Sequence, residues 1–193
     1  MFQVDDISRV VEQAGRDLSR ALDTYWPAAK KNNISERNVS LYLNVAFRRA
    51  GFVCLCEANP EEKTRIRLDL IAVHEQERIA VCVECKRLFR ASGCREMLKD
   101  MERIRGFSPI RRRGDYKPKF GVLAAVTMKD RIYRWWGQWQ RAPSSNDQWQ
   151  QLCDAVSSAR TGKLALSQNN NGIYIYLLYV VFNLDGLPNA KIA

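Results

Sequence analysis

The stretch RIRLDLIAVHEQERIAVCVECK, residues 65–86, decides the fold of this chain. Two runs rich in β-branched and apolar residues, 65–73 and 78–86, are separated only by the four residues HEQE at 74–77. A connection this short joins antiparallel strands, because parallel strands need a crossover of a dozen or more residues. The sequence therefore predicts a β-hairpin.

Charged residues gather on one face of this hairpin. With the turn centred at 75–76, facing residues have numbers that sum to about 151, so Asp69 lies opposite Cys82. In the same register Arg67 faces Glu84, and Asp69 and Glu84 are diagonal neighbours. Because side chains alternate between faces, one face collects Arg67, Asp69, Cys82, Glu84 and Lys86. The other face collects Ile66, Leu68, Leu70, Ile79, Val81, Val83 and Cys85.

Two carboxylates beside an amine favour metal-assisted phosphate chemistry. Carboxylate oxygens are the ligands that Mg²⁺ or Mn²⁺ prefers, and Asp69 and Glu84 are close enough to share one cation. Lys86, on the same face, can orient a metal-bound water and offset phosphate charge. The alternative is a solvated strand face with cross-strand ion pairs. The apolar opposite face, followed by helices, favours a site, since three charges inside a fold need a function.

Hydrophobic periodicity predicts the elements outside the hairpin. Helices are expected at 5–26 and 36–50, the second capped by Ser35, with a strand at 52–57. Beyond the hairpin the chain predicts a helix at 88–104, a basic loop at 111–119, a buried strand at 120–128, helical stretches at 131–140 and 149–159, and a strand at 173–182. This order indicates one α/β domain over 1–193, with a mixed β-sheet flanked by helices.

The spacing of Asp69, fourteen residues, and then Glu84-Cys85-Lys86 resembles the PD-(D/E)xK, or restriction-endonuclease-like, nuclease superfamily. The resemblance implies an Mg²⁺- or Mn²⁺-dependent nuclease that hydrolyses DNA, with Asp69, Glu84 and Lys86 as catalytic residues. The predicted α-β-β-β-α-β order over 35–128 resembles the superfamily core. That leaves an N-terminal helix in 1–34, and helical and strand additions in 129–193.

The resemblance also implies a further acidic metal ligand near the start of the preceding helix. Glu36 matches that position, so the implied metal ligands are Asp69, Glu84 and Glu36. An acid in a first helical turn is equally favoured by the helix dipole, and both interpretations stay open. The sequence departs from the pattern at Leu68, where proline is common, and at Cys85, whose side chain is expected on the apolar face.

The composition points to a polyanionic partner. Lys and Arg total 31 against 21 Asp and Glu, giving a net charge of +10 that attracts nucleic acid, in this case DNA by resemblance. The residues Arg111, Arg112, Arg113, Lys117 and Lys119 form a candidate phosphate track or a solvated loop. Trp135, Trp136 and Trp139 can stack on bases, but their helical spacing favours the core.

The remaining features exclude several classes of site. The six cysteines lie in or near apolar runs, which favours free thiols in a reducing compartment, and Cys82-x-x-Cys85 lacks the second Cys/His pair of a zinc site. His74 is the only histidine, so histidine-based catalysis is not expected. With no signal-like N-terminus and no apolar run of 18 residues, we expect a cytoplasmic protein without membrane contact. A homodimer is compatible with the sequence.

Two other functions fit the same residues. One is a non-catalytic nucleic-acid-binding module that keeps the nuclease fold and charge. The other is a protein-interaction domain in which the tryptophan-rich C-terminal half docks a partner and the charged hairpin face is merely solvated. The complete set of two acids and a lysine favours the nuclease.

Overall fold

The computed structural model of the chain describes residues 2–24, 34–58, 67–106, 117–168 and 172–184. Within these ranges the helices are α1 (Val4–Thr24), α2 (Glu36–Arg49), α3 (Ala91–Arg105), α4 (Asp130–Trp135) and α5 (Gln148–Val156). The strands are β1 (Val53–Ala58), β2 (Leu68–His74), β3 (Ile79–Arg87), β4 (Lys117–Thr127), β5 (Arg160–Gln168) and β6 (Tyr174–Asn183).

The described strands form one mixed, open sheet in the order β1-β2-β3-β4-β6-β5. The β3–β4 pair is parallel and every other neighbouring pair is antiparallel. Helices α1 and α2 cover one face of the sheet, and α3, α4 and α5 cover the other, each with its own hydrophobic core. The predicted α/β class with a helix-flanked mixed sheet is confirmed.

The two helices before the hairpin form where periodicity predicts them. The buried stripe of α1 runs through Ile7, Val11 and Leu18, one helical turn or two apart. At the head of α2 the Ser35 hydroxyl accepts a hydrogen bond from the Asn38 N–H at 3.3 Å, as an N-cap should. The longest described helix, α1, is amphipathic, and no helix in the described ranges is long and apolar enough to cross a bilayer.

The β2–β3 hairpin forms as predicted, but its register differs by two residues. Ile71 faces Cys82, so facing residues have numbers that sum to 153 and not 151. The turn lies further along the chain than expected, because Arg78 adopts a positive φ of 53° and donates its N–H to the Glu75 carbonyl. A shift of two preserves the faces, since side chains alternate with a period of two. Continued by one pair, this register puts Asp69 directly opposite Glu84 and corrects the diagonal placement.

Most of the predicted apolar face packs under α1 and α2, including Leu70, Val83 and Cys85. The prediction is wrong for Leu68, which is buried in the opposite core together with Cys82. Leu68 is the first residue of β2 and pairs with Ala58, the last residue of β1, so the alternation of faces ends at this strand terminus. Ile66, also assigned to the apolar face, lies outside the described residues.

The second half of the chain departs further from the predicted boundaries. Strand β4 begins at Lys117, so Lys117 and Lys119 belong to a strand and not to a loop. Helix α4 ends at Trp135, short of 140, because Gly137 and Trp139 have positive φ angles of 78° and 54°. The edge strand β5 was not predicted, since it is only partly buried and its alternation is weak.

The candidate tryptophans pack in the hydrophobic core, as their helical spacing predicts, with Trp139 partly buried at its edge. Trp136 is fully buried and Trp135 nearly so, in the core beneath α3, α4 and α5. The Trp136 indole N–H donates to the Tyr179 carbonyl at 3.3 Å, which satisfies its polar atom. The described cysteines are all free, as expected.

Gly121 of β4 allows α3 to approach the sheet. A Cβ at this position would lie 2.2 Å from Phe182 and 2.9 Å from Ile104 of α3. We expect Gly121→Ala to displace the Phe182 ring and lower the free energy of unfolding by about 1–3 kcal/mol, as overpacked cores do. Urea denaturation compared with the exposed substitution Ser158→Ala measures this. Equal stability of the two variants would contradict the packing described.

Candidate active site

The predicted acid and lysine side chains lie at the carboxyl-terminal end of β3. Glu84 is aligned with Leu123 of the parallel strand β4, and Lys86 with Ala125. Because Val83 and Cys85 pack under α1 and α2, the alternating side chains of Glu84 and Lys86 face the side covered by α3. The sheet therefore presents both groups to a helix.

Asp69 is fixed beside them through the backbone. Its Oδ2 accepts a hydrogen bond from the Cys85 N–H at 2.7 Å, the amide between Glu84 and Lys86. A short bond from a charged acceptor restricts the carboxylate strongly. The structure thus brings together Asp69, Glu84 and Lys86, the three predicted catalytic residues.

Helix α3 contributes two further charged residues that the sequence analysis missed. Arg103 Nη1 lies 2.7 Å from Glu84 Oε1 and also donates to the Arg67 carbonyl at 3.3 Å. Asp100 Oδ1 lies 3.0 Å from Arg103 Nη2, and Asp100 Oδ2 lies 3.2 Å from Lys86 Nζ. A four-residue network of Glu84, Arg103, Asp100 and Lys86 results, and we call it the ion-pair network.

A sequence signal for Asp100 existed in the periodicity of α3. The buried stripe of this helix runs through Met97, Met101 and Ile104, and Asp100 lies on the same side. A carboxylate at a core position of an amphipathic helix requires a partner, which here is Lys86 with Arg103. Lys86 is not predictable as a partner from α3 alone, because it comes from a strand.

Burial controls the electrostatics of the network. The Glu84 and Asp100 side chains are each 2% exposed, whereas Lys86 is 21% and Arg103 32% exposed. Burial raises the pKa of Glu84 to about 8, the Asp100 and Asp69 charges add to it, and Arg103 and Lys86 offset part of the rise. Burial also raises the pKa of Asp100.

The ammonium of Lys86 is held in its charged form. Burial lowers the pKa of Lys86, but the charges of Asp100, Glu84 and Glu36 outweigh it, so the net shift is upward. Lys86 is therefore a cation and a hydrogen-bond donor at neutral pH, not a proton acceptor.

Glu36 lies at the same end of β3 but has other partners. Its Oε1 accepts a hydrogen bond from the Arg87 N–H at 3.0 Å, and the Arg87 side chain Nε lies 3.7 Å away. The carboxylate thereby links the start of α2 to the end of β3. A cleft of about 440 Å³ opens there, lined by Glu36, Arg87, Phe89, Arg90, Ser92, Gly93 and Glu96.

The donor set suits a hard divalent cation. Asp69 and Glu84 face each other across the hairpin, and carboxylate oxygens are the ligands that Mg²⁺ and Mn²⁺ prefer. The buried Asp100 Oδ2 makes no aligned hydrogen bond, although it lies near the Lys86 ammonium. In the arrangement described, no three acidic, histidine or cysteine side chains of the described residues converge as closely as a metal cluster requires. A cation held by Asp69 and Glu84 would therefore draw its other ligands from water or substrate.

The two described residues of the candidate phosphate track, Lys117 and Lys119, do not adjoin these residues. Lys117 is paired with Ile79 at the start of β3, about 20 Å along the strand from Lys86 at 3.3 Å per residue. The Lys119 ammonium lies 3.4 Å from the Phe2 carbonyl. Arg111, Arg112 and Arg113 lie outside the described residues.

Comparison of this chain with protein-family models, curated proteins and solved structures found no match. A function must therefore be inferred from the chemistry of the site. That chemistry consists of the buried Glu84 carboxylate facing the partly exposed Asp69, a charged lysine and the two ionic residues of α3.

The raised pKa of Glu84 predicts a pH dependence of stability. Between its ordinary value of 4.5 and about 8, Glu84 holds a proton in the folded state that it lacks when unfolded. The free energy of unfolding should therefore fall as pH rises through this window. In the presence of EDTA, Glu84→Gln removes this contribution, so its stability relative to wild type should increase between pH 5 and pH 8 by on the order of 2 kcal/mol.

Urea denaturation at the two pH values measures this difference. Glu102→Gln, an exposed position on α3, is the matched control and should keep a constant offset from wild type. A constant offset for Glu84→Gln as well would contradict the assignment of a raised pKa to Glu84.

Proposed function

We propose that this chain is a metal-dependent nuclease of the PD-(D/E)xK superfamily that hydrolyses phosphodiester bonds of DNA. One observation carries the proposal: Asp69 is bound to the amide between Glu84 and Lys86, so two carboxylates and a charged amine meet on one sheet face. Two carboxylates can hold the cation of metal-assisted phosphodiester hydrolysis, and a charged amine can stabilise the negative charge that develops on the phosphate.

The order of elements supports the same proposal. From α2 through β1, β2, β3 and α3 to β4 the chain has the α-β-β-β-α-β order of the restriction-endonuclease-like core. The candidate site lies in this segment, where β2 begins and β3 ends. Helix α1 precedes the core, and α4, α5, β5 and β6 follow it.

Asp69 and Glu84 are the residues that would hold Mg²⁺ or Mn²⁺, with Glu36 as a further acid at the same end of β3. When bound, the cation would polarise the scissile phosphate and lower the pKa of a bound water. Lys86 donates hydrogen bonds to the attacking water or a phosphate oxygen and neutralises charge that develops there. Asp100 positions Lys86 for this task and keeps it protonated.

DNA would be bound chiefly through its phosphates. The net charge of +10 attracts a polyanion, and Arg87 and Arg90 line the cleft beside Glu36. Both guanidinium groups lie at the same end of the sheet as Lys86, unlike Lys117 and Lys119. We therefore assign the phosphate contacts nearest the site to Arg87 and Arg90.

A second function is favoured by the ion-pair network itself. Glu84 is paired with Arg103, and Lys86 with Asp100, so both key groups have protein partners. A non-catalytic DNA-binding module that keeps the fold would have this arrangement. The two functions differ in the effect of losing Lys86. A nuclease would lose DNA cleavage, whereas a binding module would keep its DNA affinity.

Plasmid cleavage distinguishes them. We expect wild-type protein to nick or degrade plasmid or single-stranded DNA with Mg²⁺ or Mn²⁺, and EDTA to abolish this. Lys86→Ala should lower the cleavage rate by roughly 100-fold or more, since a charge acting on the transition state is removed. Lys99→Ala removes the same charge from an exposed position on α3 and should retain activity.

Binding of the same DNA, followed by fluorescence anisotropy, completes the test. Affinity should fall steeply with salt for every variant, because phosphate contacts release counterions. If wild type and Lys86→Ala bind equally and neither cuts with either metal, the nuclease proposal fails and the binding module replaces it.

A further inference from the structure

Arg103 holds the carboxylate that the proposed metal would need. Its Nη1 lies 2.7 Å from Glu84 Oε1, the distance of a strong charge-assisted hydrogen bond. A divalent cation bound to Glu84 would bring two positive charges next to this guanidinium. The cation and Arg103 therefore cannot both keep their closest approach to Glu84 without strong repulsion.

Of the two partners, Arg103 is the one that can move. Its side chain is 32% exposed, whereas that of Glu84 is 2% exposed within the sheet. A guanidinium that turns towards solvent regains hydration, but a carboxylate confined between α3 and β3 has no such route. The cation would thus replace Arg103 at Glu84 by movement of the arginine side chain and not of the glutamate.

Asp100 limits how far Arg103 can depart. Asp100 Oδ1 lies 3.0 Å from Arg103 Nη2, three residues away on the same helix. This carboxylate is buried and also contacts Lys86, so it is a fixed anchor. After losing Glu84, the guanidinium would remain at the edge of the site.

The charge of the site changes in the direction that a phosphate requires. Asp69, Glu84 and Asp100 supply three negative charges, and Lys86 and Arg103 supply two positive charges. Above about pH 8, where Glu84 is also ionised, the metal-free site has one net negative charge, and one divalent cation makes it net positive. The released guanidinium, already 32% exposed, would then face solvent, and its planar fork suits phosphate oxygens.

We propose that Arg103 is the resting counter-ion of Glu84, which competes with the divalent cation and, once displaced, is retained by Asp100 to bind the substrate phosphate. This inference rests on the proposed nuclease function. A purely structural role, in which Arg103 only joins α3 to the Arg67 carbonyl, predicts no effect on metal affinity.

The test is titration of Mn²⁺ alone into the protein, by isothermal titration calorimetry at pH 8 without DNA. We expect Arg103→Met to bind Mn²⁺ about tenfold more tightly than wild type, the change that loss of about 1.4 kcal/mol of competition produces. Arg95→Met removes the same charge from an exposed position of α3 and should match wild type. Circular dichroism establishes that each variant is folded.

Arg103→Lys provides a second variant if Arg103→Met does not fold. Lysine keeps the charge but lacks the fork that joins Glu84 and Asp100. The Mn²⁺ affinity of Arg103→Lys should therefore lie between that of wild type and the tenfold higher affinity expected of Arg103→Met. In cleavage assays Arg103→Met should raise the KM for DNA, because a phosphate contact is lost.

The outcomes separate this inference from the proposed function. If wild type binds Mn²⁺ and the foldable Arg103 variants bind it equally or more weakly, the counter-ion role is overturned while the nuclease proposal stands. If neither wild type nor any Arg103 variant binds Mn²⁺, the metal site fails and both proposals fall with it. Tighter binding by the Arg103 variants together with unchanged Arg95→Met supports the exchange.

Discussion

The burial of Glu84 is the constraint on which the site depends. A carboxylate that is 2% exposed between a sheet and a helix must be neutralised or paired, because the cost of desolvating a lone charge is several kcal/mol. Arg103 supplies that pairing, Asp100 holds Arg103, and Lys86 balances Asp100. The position of α3 over β3 is therefore tied to charge as well as to its apolar stripe. Replacing Arg103 would leave the buried Glu84 carboxylate without its ion-pair partner.

Much of this arrangement could be predicted from the hairpin alone. Alternation along 65–86 places Asp69, Glu84 and Lys86 on a common face. An error in the predicted register does not change this result if it is an even number of residues. The predicted register was wrong by two because the positive φ of Arg78 is not visible in a four-residue turn. Leu68 was misplaced because it is the first residue of β2, and the sequence alone does not show where the alternation of faces ends.

The ion-pair network could not be predicted in the same way. Asp100 and Arg103 come from a helix, and only tertiary packing decides which strand residues they meet. The position of Asp100 on the buried side of α3 was a usable signal. It indicates that Asp100 needs an ionic partner, but it does not identify that partner. Glu36 illustrates a further limit, since its place in the first turn of α2 was predicted and its contact with Arg87 was not.

The ion-pair network bears on both proposed functions. Without metal, Arg103 pairs with Glu84 and Asp100 pairs with Lys86, the arrangement that the proposed binding module would keep. With metal bound, Glu84 would be a ligand and Lys86 a hydrogen-bond donor. Asp100 would anchor Arg103, and Arg103 would contact the substrate phosphate. Anomalous diffraction from a crystal containing Mn²⁺ tests this account most directly. The account predicts a peak within bonding distance of both Asp69 and Glu84, with Arg103 turned away from Glu84. Crystals of a protein that cuts DNA with Mn²⁺, but whose only anomalous peak lies away from Asp69 and Glu84, would contradict it.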